Sequence, residues 1–331
     1  MRKRLLVLTI LALGAGAVAA PAQADSAPSR PVETGSSQQV QARLGYRVPP
    51  GLGTEADPTA CTQAADATVS YAASLSGRQE VPVPGGPAVG DPEGHALVLV
   101  EICGDDVSFA FQWRGISAPT MGHIHEGKRG VNGPVVIPLF TSAMPASLSA
   151  AVGAVTMVDD AGLAAAIQAD PSSFYANLHT ADFPGGAVRG QLKPVNGPAD
   201  LLGLVHGDRM RTLLDGQQEV TAAGVEGAGD PDGYAIAFIR PRRSRVEFGA
   251  VWVGLAAPTM GHIHLGRPLA NGGVVVPLFT TAVPDGIFAI AGEVDAVDPG
   301  TTRQIRRDPG DYYVNLHTSE FPAGAVRGQL G

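Results

Sequence analysis

The chain has 331 residues, with 31 Asp and Glu against 23 Lys and Arg and a formal net charge of −8 at pH 7. That length suits two ordinary domains, and the acidic balance argues against nucleic acid or an anionic membrane surface as a partner. The sequence contains no phosphate loop, dinucleotide fingerprint, Gly-x-Ser-x-Gly elbow or His-Glu-x-x-His helix, so hydrolase and nucleotide-dependent activities have no anchor.

Taken in chain order, residues 1–24 read as a secretory signal, with Arg2, Lys3 and Arg4 before the apolar run Leu5 to Leu13 and a small-residue cleavage site at Ala22-Gln23-Ala24. That run is too short for a permanent span, and no later stretch reaches the length of about 20 apolar residues that spanning needs. The expected protein is exported, soluble and placed outside the cell or in its envelope. Residues 25–66, rich in Ser, Gln, Pro, Gly and Ala, read as a flexible leader that lacks the apolar area to offset its ordering entropy. The two cysteines, Cys61 and Cys103, are expected to form a disulfide in such a compartment.

The rest of the chain is a duplication. Ala118 to Thr141 aligns without gaps on Ala257 to Thr280 with 17 of 24 residues identical, and Phe174 to Leu192 aligns on Tyr312 to Leu330 with 14 of 19 identical. The spacing of 139 and then 138 residues implies two domains, at 67–193 and 207–331, joined by a linker at 194–206. Within the first, His95 to Ile102, Val107 to Trp113, Val135 to Phe140 and Ala187 to Leu192 alternate at period two between Gly, Pro, Asn and Asp turns, as half-buried strands do. Helical signal is confined to Asp159 to Ala169 and its counterpart near Asp298 to Arg307, with Asp159 or Asp160 placed to cap the first. The expected fold is all-β: two antiparallel sandwich or Greek-key barrel domains with one short helix each.

Local features fit that fold. Trp113 and Trp252 are expected in the cores, Asn132-Gly133 and Asn271-Gly272 in tight turns needing positive φ, and Asp91 and Asp230 in Asp-Pro-x-Gly turns. The basic run Arg240, Arg242, Arg243, Arg245 reads as a solvated strand edge. Arg189 and Arg327 have two readings, as anion guides or as cross-strand partners of Glu80 and Glu219.

Several motifs occur twice: Gly-x-Gln-Glu-Val, Gly-His-Ile-His-x-Gly, Asn-Gly before a Val-Val strand, and Tyr-x-Asn-Leu-His-Thr-x-x-Phe-Pro-x-Gly-Ala-Val-Arg-Gly-Gln-Leu. Together they resemble the CHRD domain named for chordin, across residues 70–193 and 207–331. The resemblance implies an immunoglobulin-like or Cu/Zn superoxide-dismutase-like sandwich and an extracellular setting, and fixes fold better than function.

Six of the eight histidines fall into two equivalent sets, His123, His125, His179 and His262, His264, His317. Residues two apart on a strand share a face, so each His-x-His presents two imidazoles together, and a neighbouring Asn-Leu-His-Thr strand would supply a third. Three imidazoles with an open position suit Zn²⁺ or Cu²⁺; the same rings serve equally as a hydrogen-bonded structural cluster. No bridging histidine or zinc loop follows, so dismutase chemistry has no support. His95 and His206 have no counterparts and read as surface residues. The functional expectation is a non-enzymatic binding or structural module with an extracellular protein or polysaccharide partner. The alternative is an envelope protein holding Cu or Zn at each three-histidine set, and a metal-dependent oxidoreductase ranks last.

Overall fold

A computed structural model describes residues 68–157, 162–205, 210–221 and 227–331. The expected signal segment, leader, Cys61, His206 and the Asp159 and Asp160 caps lie outside them. Cys103 ends a strand and is buried.

The first repeat forms β1 (Val69–Ser76), β2 (His95–Cys103), β3 (Asp106–Arg114), β4 (Met121–Glu126), β5 (Val135–Phe140), β6 (Leu148–Thr156), helix α1 (Leu163–Ala169), β7 (Phe174–His179), β8 (Val188–Gln191) and β9 (Lys193–Val195). The second forms β10 (Met210–Asp215), β11 (Tyr234–Arg242), β12 (Arg245–Val253), β13 (Met260–Leu265), β14 (Val274–Phe279), β15 (Ile287–Val294), helix α2 (Pro299–Arg307), β16 (Tyr312–His317) and β17 (Val326–Gln329). Every ladder between named strands is antiparallel. In the first repeat the order is β5-β4-β7-β8-β1-β2-β3-β6. β1 turns the corner, meeting β8 at Ser76↔Arg189 and β9 at Tyr71↔Pro194, so two four-stranded layers face one another. No ladder joins β5 to β6, so the layers form a sandwich and not a closed barrel.

Alternation decides what fills the space between the layers. Val98, Val100, Phe109 and Phe111 from one layer meet Ile124, Ile137, Ala176 and Leu178 from the other, all at 2% exposure or less. Burying a side chain of the larger kinds is worth roughly 1.5–3 kcal/mol. Trp113 and Trp252 join these cores, and Ile167 and Ile305 anchor the two short helices. Asp298 caps α2 by accepting from the Thr301 amide at 2.8 Å.

The repeats are joined more closely than a flexible linker requires. β6 pairs with β15, from Ile287↔Gly153 to Gly292↔Leu148, making one continuous ladder across both repeats. The connection contributes Leu201, Leu202 and Val205 to a second apolar cluster with Ala110, Val152, Ile236, Phe238 and Phe288. That cluster covers the outer face of the β1-β2-β3-β6 layer and its counterpart, and leaves the outer face of the β4-β7-β8 layer for polar residues.

One local expectation needs correction. Gly133 and Gly272 are not at positive φ; Gly130 (φ 79) and Leu269 (φ 65) take that role in the two turns. Gly133 is required for a different reason, since a Cβ there would lie 1.6 Å from the Glu126 carbonyl oxygen. The basic run lies at the solvated tip of the β11–β12 hairpin, beyond the described pairings of β11 with β10, which end at Met210↔Ile239, and of β12 with β15, which begin at Val246↔Val294.

Candidate metal centre

On β4, Ile124 points into the core, so His123 and His125 share the opposite face. β7 lies alongside with Met121↔His179, His123↔Asn177 and His125↔Tyr175. His179 is therefore diagonal to His123, within reach of an imidazole. Register shifts against β5 fall at Gly122/His123 and Ile124/His125, and such bulges turn side chains out of the regular pleat. All three rings of each set come together, with one ligating atom per residue and these atoms within 4.8 Å of one another.

Hydrogen bonds assign the free lone pairs. His179 Nδ1 faces the Pro184 carbonyl at 2.9 Å and His125 Nδ1 faces the Gly133 carbonyl at 3.0 Å. A carbonyl only accepts, so both Nδ1 atoms carry the proton and both Nε2 atoms keep a lone pair. His125 Nε2 is buried without a partner, and His179 Nε2 lies 3.2 Å from His123 Nδ1. The second repeat copies each relation: His317 to Pro322 at 2.9 Å, His264 to Gly272 at 2.9 Å, His262 Nδ1 to His317 Nε2 at 3.2 Å, and His264 Nε2 buried and unpaired.

Electrostatics keep these rings neutral. Burial, then the neighbouring His179 and His125, pull His123 down to about 4, and burial, His317 and His264 do the same to His262. Burial also lowers His125, His179, His264 and His317.

Residues that motif spacing did not assign to the site support it. Tyr175 stacks on His125 with centroids 4.7 Å apart and planes 6° from parallel, and the Arg189 guanidinium lies 3.3 Å above the Tyr175 ring. Arg189 donates to the Lys128 and Val131 carbonyls and to Asn132 Oδ1, at 3.1, 2.7 and 3.0 Å. It thereby fixes the 127–134 loop that carries the Gly133 carbonyl, the acceptor for His125. Tyr313, Arg327, Asn271 and the Arg267 and Ala270 carbonyls repeat this arrangement. At 1% exposure Arg189 is too enclosed to steer an anion; it attracts Glu80 electrostatically, while the hydrogen bond to Glu80 comes from Asn177 Nδ2 at 2.5 Å. Burial pushes Glu80 up to about 7 against the pull of Arg189 and Asn177, and Glu219 behaves alike beside Asn315. The alternation of Tyr175, Asn177 and His179 along one strand was the available signal. Their stacking partner on β8 was not readable from spacing.

A cavity of about 140 Å³ opens beside the rings of the first repeat, lined by Glu80, Val83, Pro87, His125, Tyr175 and His179 among others. Asn177 also lines it, 3% exposed, with its Oδ1 unpaired. Asp91 and Asp230 lie apart in their turns, accepting from the Glu93 and Asp232 amides at 3.0 Å. His95 is exposed on β2.

No curated protein matches the chain. The sequence profile of the CHRD domain matches it twice, at residues 71–192 and 210–330, so well over half of its length is accounted for. The chain therefore belongs to the CHRD domain family, with two tandem copies.

Proposed function

We propose that this protein is an exported, non-enzymatic binding module in which each CHRD domain holds one transition-metal ion, Cu or Zn, through three neutral imidazoles. The signal-like first 24 residues and the extracellular character of the family support export. Among the described residues no helix is long and apolar enough to cross a membrane.

The observation that carries the metal reading is the buried, unpartnered Nε2 of His125 and of His264. A buried polar atom without a partner costs about 1–3 kcal/mol, and an ion beside it removes that cost. Backbone carbonyls engage the Nδ1 atoms of His125 and His179, which is how ligating imidazoles are commonly oriented. Two nitrogens bound tetrahedrally at ~2.0–2.1 Å lie about 3.3 Å apart, and His123 Nδ1 and His179 Nε2 are already 3.2 Å apart. His123 would then give its Nδ1 lone pair and carry its proton on Nε2. The cavity beside His125 and His179 would give small ligands access to an ion held there. A bound ion would supply Lewis acidity there; the chain's own residues orient the rings and hold them unprotonated.

The test is a metal titration of tag-free protein. About two equivalents of Cu²⁺ or Zn²⁺ should bind per chain, and His179→Gln should reduce this to one. No binding, or a stoichiometry unchanged by that substitution, overturns the reading.

A further inference from the structure

The second repeat carries a basic cleft whose arginines have no counterparts in the first. It has a volume of about 870 Å³ and is lined by Arg240, Arg242, Arg243 and Arg245 of the β11–β12 hairpin, by Arg306 of α2 and by the carboxylate of Glu247. At the repeat spacing, the corresponding residues of the first repeat are Glu101, Cys103, Gly104, Asp106 and Gln168. Nothing in the shared fold demands the arginines, since the same hairpin forms without them.

Ion pairing uses only part of this charge. Arg240 and Arg242 share Glu247 at 3.1 and 3.3 Å, and Arg245 reaches Glu293 at 2.8 Å and Asp295 at 2.9 Å. Among the described residues no carboxylate lies within ion-pair distance of Arg243 or Arg306. The Arg306 guanidinium donates to the Pro241 carbonyl at 3.1 Å, and Thr302 Oγ1 donates to the Arg243 carbonyl, so α2 braces the hairpin. Five guanidiniums thus face three carboxylates, and Arg240 Nε is buried without a partner. Arg243 also occupies a left-handed position, φ 40, where the first repeat has Gly104 at φ 59. A non-glycine residue there costs of order 1 kcal/mol or more, yet the second repeat places its unpaired cation at that turn.

We propose that this cleft binds an anionic glycan, a flexible polysaccharide bearing phosphate or sulfate groups at intervals. The guanidiniums are spread along an open cleft, which suits several spaced oxyanions, each accepting two parallel hydrogen bonds from one arginine. The excess of acidic residues elsewhere in the chain repels a nucleic-acid duplex or a charged bilayer, which would have to lie across those surfaces as well. Met210 and Pro241 are the only apolar side chains in the lining, too few to insert into lipid. This assignment is independent of the metal centres.

The experiment uses the full chain with fluorescent dextran sulfate, phosphorylated dextran and unmodified dextran. Binding of one or both charged dextrans is expected, weakening as salt is raised, with no binding of unmodified dextran. The relative strength of the two charged forms identifies the oxyanion. The double variant Arg243→Gly, Arg306→Gln carries the first repeat's own residues at both positions and breaks no ion pair. It should lower affinity about tenfold or more, because a hydrogen bond to a charged group contributes about 1.5–3 kcal/mol. Arg114→Gln, on the first repeat, should bind as the parent does, and thermal melting of each variant confirms folding. Absence of binding to both charged dextrans, a double variant that binds like the parent, or equal arginine-dependent binding to anionic vesicles or duplex DNA would overturn the proposal.

Discussion

The imidazole face of the first repeat and that of the second agree contact for contact, whereas the hairpins at 103–106 and 242–245 share no side-chain chemistry. His123 and His262 stand 3.2 Å from their partners on β7 and β16, and the Gly133 and Gly272 amides each donate to a tyrosine hydroxyl at 3.3 Å. Even the stacked layers of histidine, tyrosine and arginine recur. The hairpins join β2 to β3 and β11 to β12, in the layer opposite the imidazole strands, and exchange Asp105 and Asp106 for Ser244 and Arg245. One sandwich can therefore hold a demanding polar cluster constant while its turns vary, because the cluster is built on paired strands and each turn answers mainly for its own backbone.

Acid should have the largest effect on the metal-free chain. Unfolded imidazoles take up protons below about 6.5, whereas His123 and His262 do so only near 4 in the fold. Between those values the unfolded state binds more protons, so stability falls as pH drops from 6.5 to 4. Glu80 and Glu219 act with opposite sign, because their raised values near 7 let the folded state bind protons above the usual 4.5. Burial raises Asp230 too, so six lowered imidazoles stand against three raised carboxyls and the expected balance is a loss in acid. Glu80→Gln with Glu219→Gln should steepen it. Urea midpoints at pH 7, 5.5 and 4.5 check both statements, and a chain as stable at pH 4.5 as at pH 7 would contradict them.

The equivalence of the repeats is sharpened by Arg189→Ala and Arg327→Ala. Each removes a buried guanidinium from two backbone carbonyls, an asparagine and a tyrosine ring, and each should cost about 3 kcal/mol in denaturant unfolding. A loss confined to one repeat would break the comparison. Next come Gly133→Ala and Gly272→Ala, whose added Cβ atoms would meet the Glu126 and Leu265 carbonyl oxygens at 1.6 and 1.5 Å. Each should cost about 2 kcal/mol and weaken metal binding in its own repeat, since the same glycine carbonyl orients a histidine. The smallest effect tests the hairpins: Arg243→Gly should raise stability by about 1 kcal/mol by relieving a left-handed arginine, and Gly104→Ala should lower it by a similar amount.

Much of this was legible in the sequence. Period-two alternation and the doubled Gly-His-Ile-His and Asn-Leu-His-Thr motifs gave the sandwich and the meeting of His123, His125 and His179, because strand geometry converts spacing directly into facing. The hold of Arg189 on the 127–134 loop was missed because the partners there are backbone carbonyls about 60 residues away, which leave no charge signature. Gly133 was assigned to a turn for its φ, when the constraint is the approach of the Glu126 carbonyl, a contact no local pattern encodes.

The most direct measurement is a crystal structure of the tag-free protein loaded with Cu²⁺ or Zn²⁺, with anomalous data collected at the metal edge. Two peaks are expected, each about 2.0–2.1 Å from three nitrogens: His123 Nδ1, His125 Nε2 and His179 Nε2 in one repeat, His262 Nδ1, His264 Nε2 and His317 Nε2 in the other. Loaded crystals with no peak at either triad, the imidazoles keeping their present hydrogen bonds, would contradict the account.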